Sequence, residues 1–326
     1  MLDFANKTIL VTGGTGSFGQ RFVNFLLQKT RARRIIIFSR DELKQSQMKS
    51  EIADPENRLR FFIGDVRDSA RLDMAFNGVD CVVHAAALKQ VPALEYNPFE
   101  AVKTNIQGTQ NVILAALNQK VEKVLLISTD KAANPANLYG ATKLCAERLI
   151  VSANAYSGMG STKFSVVRYG NVMGSRGSIL TVLNKQTGGT VPLTHEDMTR
   201  FWITLDQGID LVMMALEKMH GGEIFVPKIP SMKVKDFILS IVPDAKFHII
   251  GIRPGEKLHE VLVTKEESRH TKEFSDHYII FPEHDWWEKN EKYNDGQTPA
   301  DDFHFSSHTN SDWLTSEQLK QLLLNV

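Results

Sequence analysis

The chain is poor in cysteine: Cys81 and Cys145 are the only two in 326 residues. Two thiols build neither a disulfide framework nor a metal quartet, so no metal site is expected, and free thiols fit a reducing cytoplasm. A surplus of charge is missing as well, with Lys+Arg and Asp+Glu equal at 38 each. A balanced chain has no global field to draw it onto nucleic acid or an anionic membrane, so neither is an expected partner and any anion site must be local. There is also no apolar run of the ~18 to 20 residues that a membrane span needs. Strand-like Thr8 to Val11 leads straight into a glycine turn with no room for a signal peptide, and a cytoplasmic location is the expectation. Internal repeats and low-complexity segments are absent too.

What is present is an ordinary globular composition, 42% hydrophobic and 23% charged, long enough for a large core and a second lobe. Short apolar, mostly β-branched runs recur at Ile9 to Val11, Ile35 to Phe38, Phe61 to Ile63, Cys81 to Val83, Val124 to Ile127 and Ser165 to Val167. Segments long enough for crossover helices separate them, which predicts a doubly wound α/β fold with a parallel sheet covered on both faces. After about Asn171 the alternation decays, and 174–177 and 188–192 read as loops. Leu205 to Met219 reads as a helix and Glu223 to Val226 as a strand, so the chain returns to the first sheet. The expected division is 1–172 plus about 203–230 for a nucleotide domain, and about 173–202 plus 231–326 for a smaller α/β substrate lobe. Asp285 to Asp302 is polar and weakly patterned, and Thr315 with Gln318 can cap a last helix over Glu317 to Leu324.

The sharpest local signal is Thr12-Gly13-Gly14-Thr15-Gly16-Ser17-Phe18-Gly19, between the first strand and a helix. Glycines at 13, 16 and 19 permit a tight turn, close approach of backbone to a pyrophosphate and close helix packing, while the helix N-terminus presents its amides. At the end of the second strand, where an acid would bind the ribose of NAD, stand Ser39 and Arg40, with Lys44 one turn further on. A guanidinium fork suits a ribose 2′-phosphate, so NADP is the expected cofactor. Asp65 and Val66 would face the adenine, and Ala85, Ala86 and Ala87 leave room for the cofactor backbone.

After the fifth strand come Ser128-Thr129-Asp130-Lys131 and then Tyr139-Gly140-Ala141-Thr142-Lys143. Tyr139 and Lys143 share a helix face at i and i+4. A phenol titrates near ~10, so it serves as a base only if a cation such as Lys143 stabilises the phenolate. His84, following a core strand, is expected to be packed rather than catalytic, and no partner for His259 can be named from spacing.

With these residues in place, the chain resembles the extended short-chain dehydrogenase/reductase superfamily. The segments TGGTGSFG, FSRDELKQS, GDVRD, HAAALKQVP, STDKAANP, YGATK, RYGNVMGSRGS, MTRFWIT, GGEIFVPKIPSMK and RPGEKLHE together resemble the configuration-inverting UDP-N-acetylglucosamine 4,6-dehydratases of pseudaminic acid biosynthesis, over nearly the whole chain. The resemblance implies a cofactor site of Gly13, Thr15, Gly16, Ser17, Phe18, Gly19, Ser39, Arg40, Asp41, Glu42, Leu43, Lys44, Asp65, Val66, Ala85, Ala86, Ala87, Lys89, Thr104, Tyr139 and Lys143. It implies a UDP-sugar held by Lys89, Asn171, Val172, Arg200, Arg253 and Glu256, and a homo-oligomer, with a hexamer as the family's assembly.

Lys131 departs from configuration-retaining dehydratases, which carry Asp-Glu at this point. The implied chemistry has Tyr139 take the proton of the 4-hydroxyl with Thr129 bonded to the same oxygen, Lys131 remove the carbon 5 proton as a neutral amine, and Asp130 donate to the departing 6-hydroxyl. Two other readings are a nucleotide-sugar 4-epimerase, against which Asp130 and Lys131 argue, and a silent NADP-binding regulator, against which Tyr139 and Lys143 argue.

Overall fold

Ile9, Leu10 and Val11 are wholly shielded from solvent, as are Ile35 and Ile37 beside them, as a sheet covered on both faces requires of its continuous apolar runs. The computed structural model describes residues 3–158, 162–174, 190–283, 287 and 293–324. Strands β1 Thr8–Thr12, β2 Arg34–Ser39, β3 Leu59–Ile63, β4 Cys81–His84, β5 Lys123–Thr129 and β6 Lys163–Tyr169 contain the six apolar runs and extend each slightly. The others are β7 Asn171–Val172, β8 Thr190–Leu193, β9 Thr199–Ile203, β10 Ile224–Pro227, β11 Ser231–Lys233, β12 Lys246–Ile249, β13 Val261–Val263, β14 Thr271–Glu273, β15 His277–Ile280 and β16 Phe305–Ser306.

The main sheet runs β14-β15-β10-β6-β5-β4-β1-β2-β3. From β3 to β10 every pairing is parallel, whereas β15 runs antiparallel to β10 and β14 to β15. The return of the chain to this sheet is therefore made by β10, as its apolar run predicts. One expectation is corrected: β14 and β15, read as part of the second lobe, extend the first sheet. They pair with its outer edge, a long-range partnership that local pattern does not encode.

Seven helices lead up to the second half of the chain: α1 Ser17–Lys29, α2 Glu42–Glu51, α3 Ser69–Phe76, α4 Val91–Tyr96, α5 Pro98–Ala101, α6 Gly108–Asn118 and α7 Leu138–Tyr156, with a π-helical segment at Val102–Gln107 between α5 and α6. The helix Leu205–Lys218 follows the expected span and begins at a Thr204/Gln207 capping box. The last helix, Ser316–Leu323, starts at the expected Thr315/Gln318 box. No described helix is long and apolar enough to cross a membrane.

Outside the main sheet the described residues form small sheets, β11-β9-β7, β12-β8 and β13-β16, and β7, expected with the nucleotide domain, pairs here with β9. Trp202 of β9 stacks on Phe237 with ring centroids 3.9 Å apart, and Leu319 of the last helix buries against the same cluster. The stretch 188–192, read as a loop, enters β8 at Thr190, while 175–189 lies outside the described residues. Pro192 is tolerated there because, among the described residues, β8 pairs only with β12 and needs no second ladder. Of the weakly patterned stretch 285–302, residues 285, 286 and 288–292 also lie outside the described set.

Because the chain steps from β1 to β2 and β3 and then back to β4 on the other side of β1, it leaves a crevice at the carboxyl ends of β1 and β4. A cavity of about 1020 Å³ opens there and reaches β9 and the segment before β13.

Candidate active site

Gly13 follows β1 with φ +67°, and a Cβ there would lie 2.9 Å from Ala86 Cα. Both the left-handed backbone and the contact with the segment after β4 demand glycine. Gly16 then caps α1 with no side-chain hydrogen bond, so the N-terminal turn of this 13-residue helix faces the cavity through backbone. Gly13, Thr15, Gly16, Ser17, Phe18 and Gly19 all line the cavity, as do Ala85, Ala86, Ala87, Asp65, Val66, Lys89 and Thr104. The Thr104 hydroxyl is buried and has no hydrogen-bond partner among the described residues.

At the end of β2, Ser39, Arg40, Asp41 and Lys44 reach the cavity. Glu42 and Leu43 do not. They occupy the first turn of α2 on the face turned to solvent, Leu43 being 67% exposed, because 100° per residue brings only residue 44 back toward the crevice. Arg40 has a loose acidic neighbour, Asp65 Oδ2 at 3.7 Å, and Lys44 pairs with Asp41 Oδ2 at 2.6 Å. Burial pushes the Asp65 carboxyl up, but its hydrogen bonds from Arg67 and the charge of Arg40 hold it below the usual carboxylate range.

On the reacting side, Thr129 ends β5 and Asp130 to Ala132 form a short 3-10 turn that lays Lys131 against α7. Thr129, Lys131, Tyr139 and Lys143 line the cavity, while Asp130 is fully buried behind the wall. Thr129 Oγ1 donates to Asp130 Oδ1 at 3.0 Å, and Lys131 Nζ donates to the same oxygen at 2.9 Å. Asp130 Oδ2 is buried and takes no hydrogen bond from the described residues. Burial raises the Asp130 carboxyl above its ordinary value against the pull of the Lys131 ammonium, and the charge of Glu260 adds to the rise. Burial works against the Lys131 ammonium, yet Asp130 and Glu260 more than offset it and hold the amine protonated above the ordinary lysine range.

Burial pushes the Tyr139 phenol up to about 12, opposed by the charge of Lys131 and by a hydrogen bond with Thr129. Lys143 Nζ donates to the carbonyl of Ile127 at 2.7 Å, and burial pulls its amine down to about 8. The charge of Lys131 thus favours the Tyr139 phenolate, while Lys143, on the same cavity wall, bonds the Ile127 carbonyl.

Strands β7 and β9 and the segment before β13 contribute Asn171, Val172, Arg200, Arg253 and Glu256 to the wall. The Asn171 side-chain oxygen is buried without a hydrogen-bond partner among the described residues. Arg200 donates to the carbonyls of Thr199, Leu258 and Lys257, and Arg253 forms a two-pronged pair with Glu256 at 3.0 and 2.8 Å. Both guanidinium groups thus brace the 253–260 segment as well as facing the cavity. Glu260 and Lys257 also line it and were not singled out in the sequence. The only signal was their place in Arg-Pro-Gly-Glu-Lys-Leu-His-Glu, which names no partner. His84 is packed between Thr12 and Thr109 and held neutral by burial, its value pulled down to about 3. His259 bonds Thr199 Oγ1 and stacks on His308.

The doubly wound sheet, the glycine turn feeding α1 and the Thr129, Tyr139, Lys143 set at the end of β5 define an extended short-chain dehydrogenase/reductase. The family model described as "polysaccharide biosynthesis protein" matches residues 9–282, and the chain belongs to that family. It is 47% identical to the UDP-N-acetylglucosamine 4,6-dehydratase (inverting) of Campylobacter jejuni subsp. jejuni, over 98% of each chain. It is also 43% identical to a UDP-glucose 4-epimerase of Rickettsia conorii, over 85% of this chain and 83% of that one. The X-ray structure of Pen from Bacillus thuringiensis superposes with a TM-score of 0.90 at 38% identity, covering 99% of both chains.

Proposed function

We propose that the chain is a configuration-inverting UDP-N-acetylglucosamine 4,6-dehydratase that works with NADP as a cytoplasmic homo-oligomer, the nucleotide domain and the substrate lobe closing on one cavity. The observation that carries this reading is the pair of Lys131 at the cavity wall and a buried Asp130 bonded to it at 2.9 Å, beside Tyr139. The cofactor's place is supported by the cradle at Gly13, which a Cβ would fill, and by Arg40 and Lys44 at the end of β2. When bound, the nicotinamide accepts hydride from sugar carbon 4 and returns it to carbon 6.

Tyr139 takes the proton of the 4-hydroxyl, and the Thr129 hydroxyl bonds that oxygen. The ketone formed at carbon 4 acidifies the carbon 5 proton. A proton passed from the Lys131 ammonium to Asp130 leaves a neutral amine beside a neutral acid, which supplies the base and the acid together. The carbon 5 C–H bond breaks, an N–H bond forms on Lys131, and the electron pair moves into the carbon 5–carbon 6 double bond. The carbon 6–oxygen bond breaks in turn. The leaving oxygen takes the Asp130 proton, relayed by Thr129 Oγ1 from the carboxyl behind the wall, and departs as water. The enolate left at carbon 5 takes a solvent proton on the opposite face, balanced by release to solvent of the proton that Tyr139 removed from the 4-hydroxyl, and the product is the inverted 4-keto-6-deoxy sugar.

Incubation with UDP-N-acetylglucosamine in heavy water tests the reading. A dehydrated 4-keto product carrying deuterium at carbon 5, seen by mass spectrometry and NMR, is the expected result, and its absence overturns the assignment. The likeness to a UDP-glucose 4-epimerase favours a second reading. Lys131→Ala separates the two, because an epimerase keeps its turnover and a dehydratase loses elimination and carbon 5 exchange.

A further inference from the structure

Glu260 plays no part in the chemistry above, yet it is built into the reacting cluster. It stands just before β13, 2% exposed, with Oε1 3.2 Å from Lys131 Nζ. A carboxylate is buried in charged form only where cations compensate it. Lys131, Arg200 Nε at 3.8 Å and Lys257 Nζ at 3.5 Å do so. They outweigh a burial that alone would favour the acid, and they hold the carboxyl below the usual range. Its backbone is pinned from the C-terminal segment. The Glu260 N–H donates to Ser307 Oγ at 2.9 Å, and its carbonyl accepts from the Ser307 N–H at 2.8 Å and from Ser306 Oγ at 3.2 Å.

A lysine nitrogen has three valences beyond its own carbon. Asp130 Oδ1 takes one and Glu260 Oε1 stands at a second, which leaves one for the cavity that Lys131 lines. We propose that Glu260 is a positioning residue for the dehydration: after the proton has passed to Asp130 the amine turns about its Cε–Nζ bond, Glu260 and Asp130 hold its two N–H groups, and the freed lone pair faces carbon 5 of the sugar. The inference rests on the dehydratase reading. It also makes the protons of Asp130, Lys131 and Glu260 one coupled set, so the charge of Glu260 sets the pH range in which the pair works. The other charged or titratable groups around this set are Arg200 from β9, Lys257 and Glu256 from the segment before β13, Lys89 after β4, and Tyr139 of α7.

Two variants of the full-length enzyme, Glu260→Gln and Glu260→Ala, test the role, with solvent deuterium entering carbon 5 and reduced-cofactor absorbance followed separately in single turnovers. The amide keeps the shape and removes the charge, so the pH profile of carbon 5 exchange moves to lower pH while oxidation at carbon 4 persists. Removing the anchor lowers exchange by about 100-fold, and reduced cofactor accumulates because oxidation outruns elimination. A merely structural role would slow both steps alike and leave the Gln profile unmoved; that result, or exchange within about threefold of wild type in the Ala variant, overturns the proposal. Should the Ala variant fail to fold, the Gln profile decides alone. No deuterium in the wild-type product is a different failure, which removes the dehydratase reading itself and this role with it.

Discussion

The backbone carbonyl of Lys131 packs so tightly on Gly140 that a Cβ at residue 140 would overlap its oxygen. Gly140 sits between Tyr139 and Lys143 on α7, so one glycine sets the distance between the Asp130-Lys131 turn and the Tyr139 helix. Gly140→Ala must push the turn off the helix, because a backbone oxygen cannot give way as a side-chain tip can. The expected outcome is a loss of about 1–3 kcal/mol in stability together with a larger fall in carbon 5 exchange than in cofactor affinity. Thermal unfolding, exchange into product and cofactor titration on one preparation check the three together.

Lys143 carries a pH prediction. Burial lowers its amine to about 8, so it is an ammonium below that pH and neutral above it. A cation on the cavity wall favours an anionic dinucleotide. Cofactor affinity of the free enzyme should therefore fall as pH rises through about 8. Lys143→Met should bind more weakly throughout and lose that dependence. Isothermal titration at several pH values reads both, and an unchanged slope in the variant would reject the assignment.

Arg168 is completely buried and joins two carboxylates: Glu147 at 3.1 and 2.6 Å and Glu267 at 2.9 and 2.8 Å. It also donates to the carbonyl of Leu262, tying β6 and α7 to the strand after the Glu260 segment. Arg168→Met strands two buried acids and should cost about 3–5 kcal/mol. Burial alone would raise the Glu267 carboxyl, but Arg168 holds it below the usual range. A depressed folded value means the stabilisation is complete above the unfolded glutamate value of ~4.3 and is lost as pH falls below it. Denaturant titrations from neutral pH to about pH 3 should show this acid-side loss in the wild type and a weaker one in the variant.

The parallel sheet was legible because its strands are buried on both faces and read as unbroken apolar runs, Ile35 to Phe38 being the plainest. The glycine turn and the Tyr139, Lys143 spacing were legible because each is a local pattern with a local geometric cause. β14 and β15 were not, since nothing within Thr271 to Ile280 says which sheet edge will accept them. Glu260 was hidden for the same reason: its meaning lies in Lys131, 3.2 Å away in space but far along the chain. The influence of Lys131 on Tyr139 was hidden too. Spacing on a helix cannot reveal that the carbonyl of Ile127 receives one lysine while the turn after β5 presents the other.

In the NADP reading, discrimination against NAD falls to Arg40. Its guanidinium is 56% exposed on its side chain and only loosely held, 3.7 Å from Asp65 Oδ2, whereas Asp65 is bound more closely by Arg67 at 2.7 Å. Arg40 can therefore turn to a ribose 2′-phosphate without stranding an acid, because Asp65 keeps its second arginine. A charged hydrogen bond of this kind contributes on the order of 1.5–3 kcal/mol, so Arg40→Ala should weaken NADP by about 10- to 100-fold and leave NAD nearly unchanged. Lys44 pairs with Asp41 at 2.6 Å and offers a point charge rather than a fork, so Lys44→Ala should discriminate less between the two cofactors. Competition titrations with both cofactors measure the ratio directly, and equal weakening of NAD and NADP in Arg40→Ala would place the phosphate elsewhere.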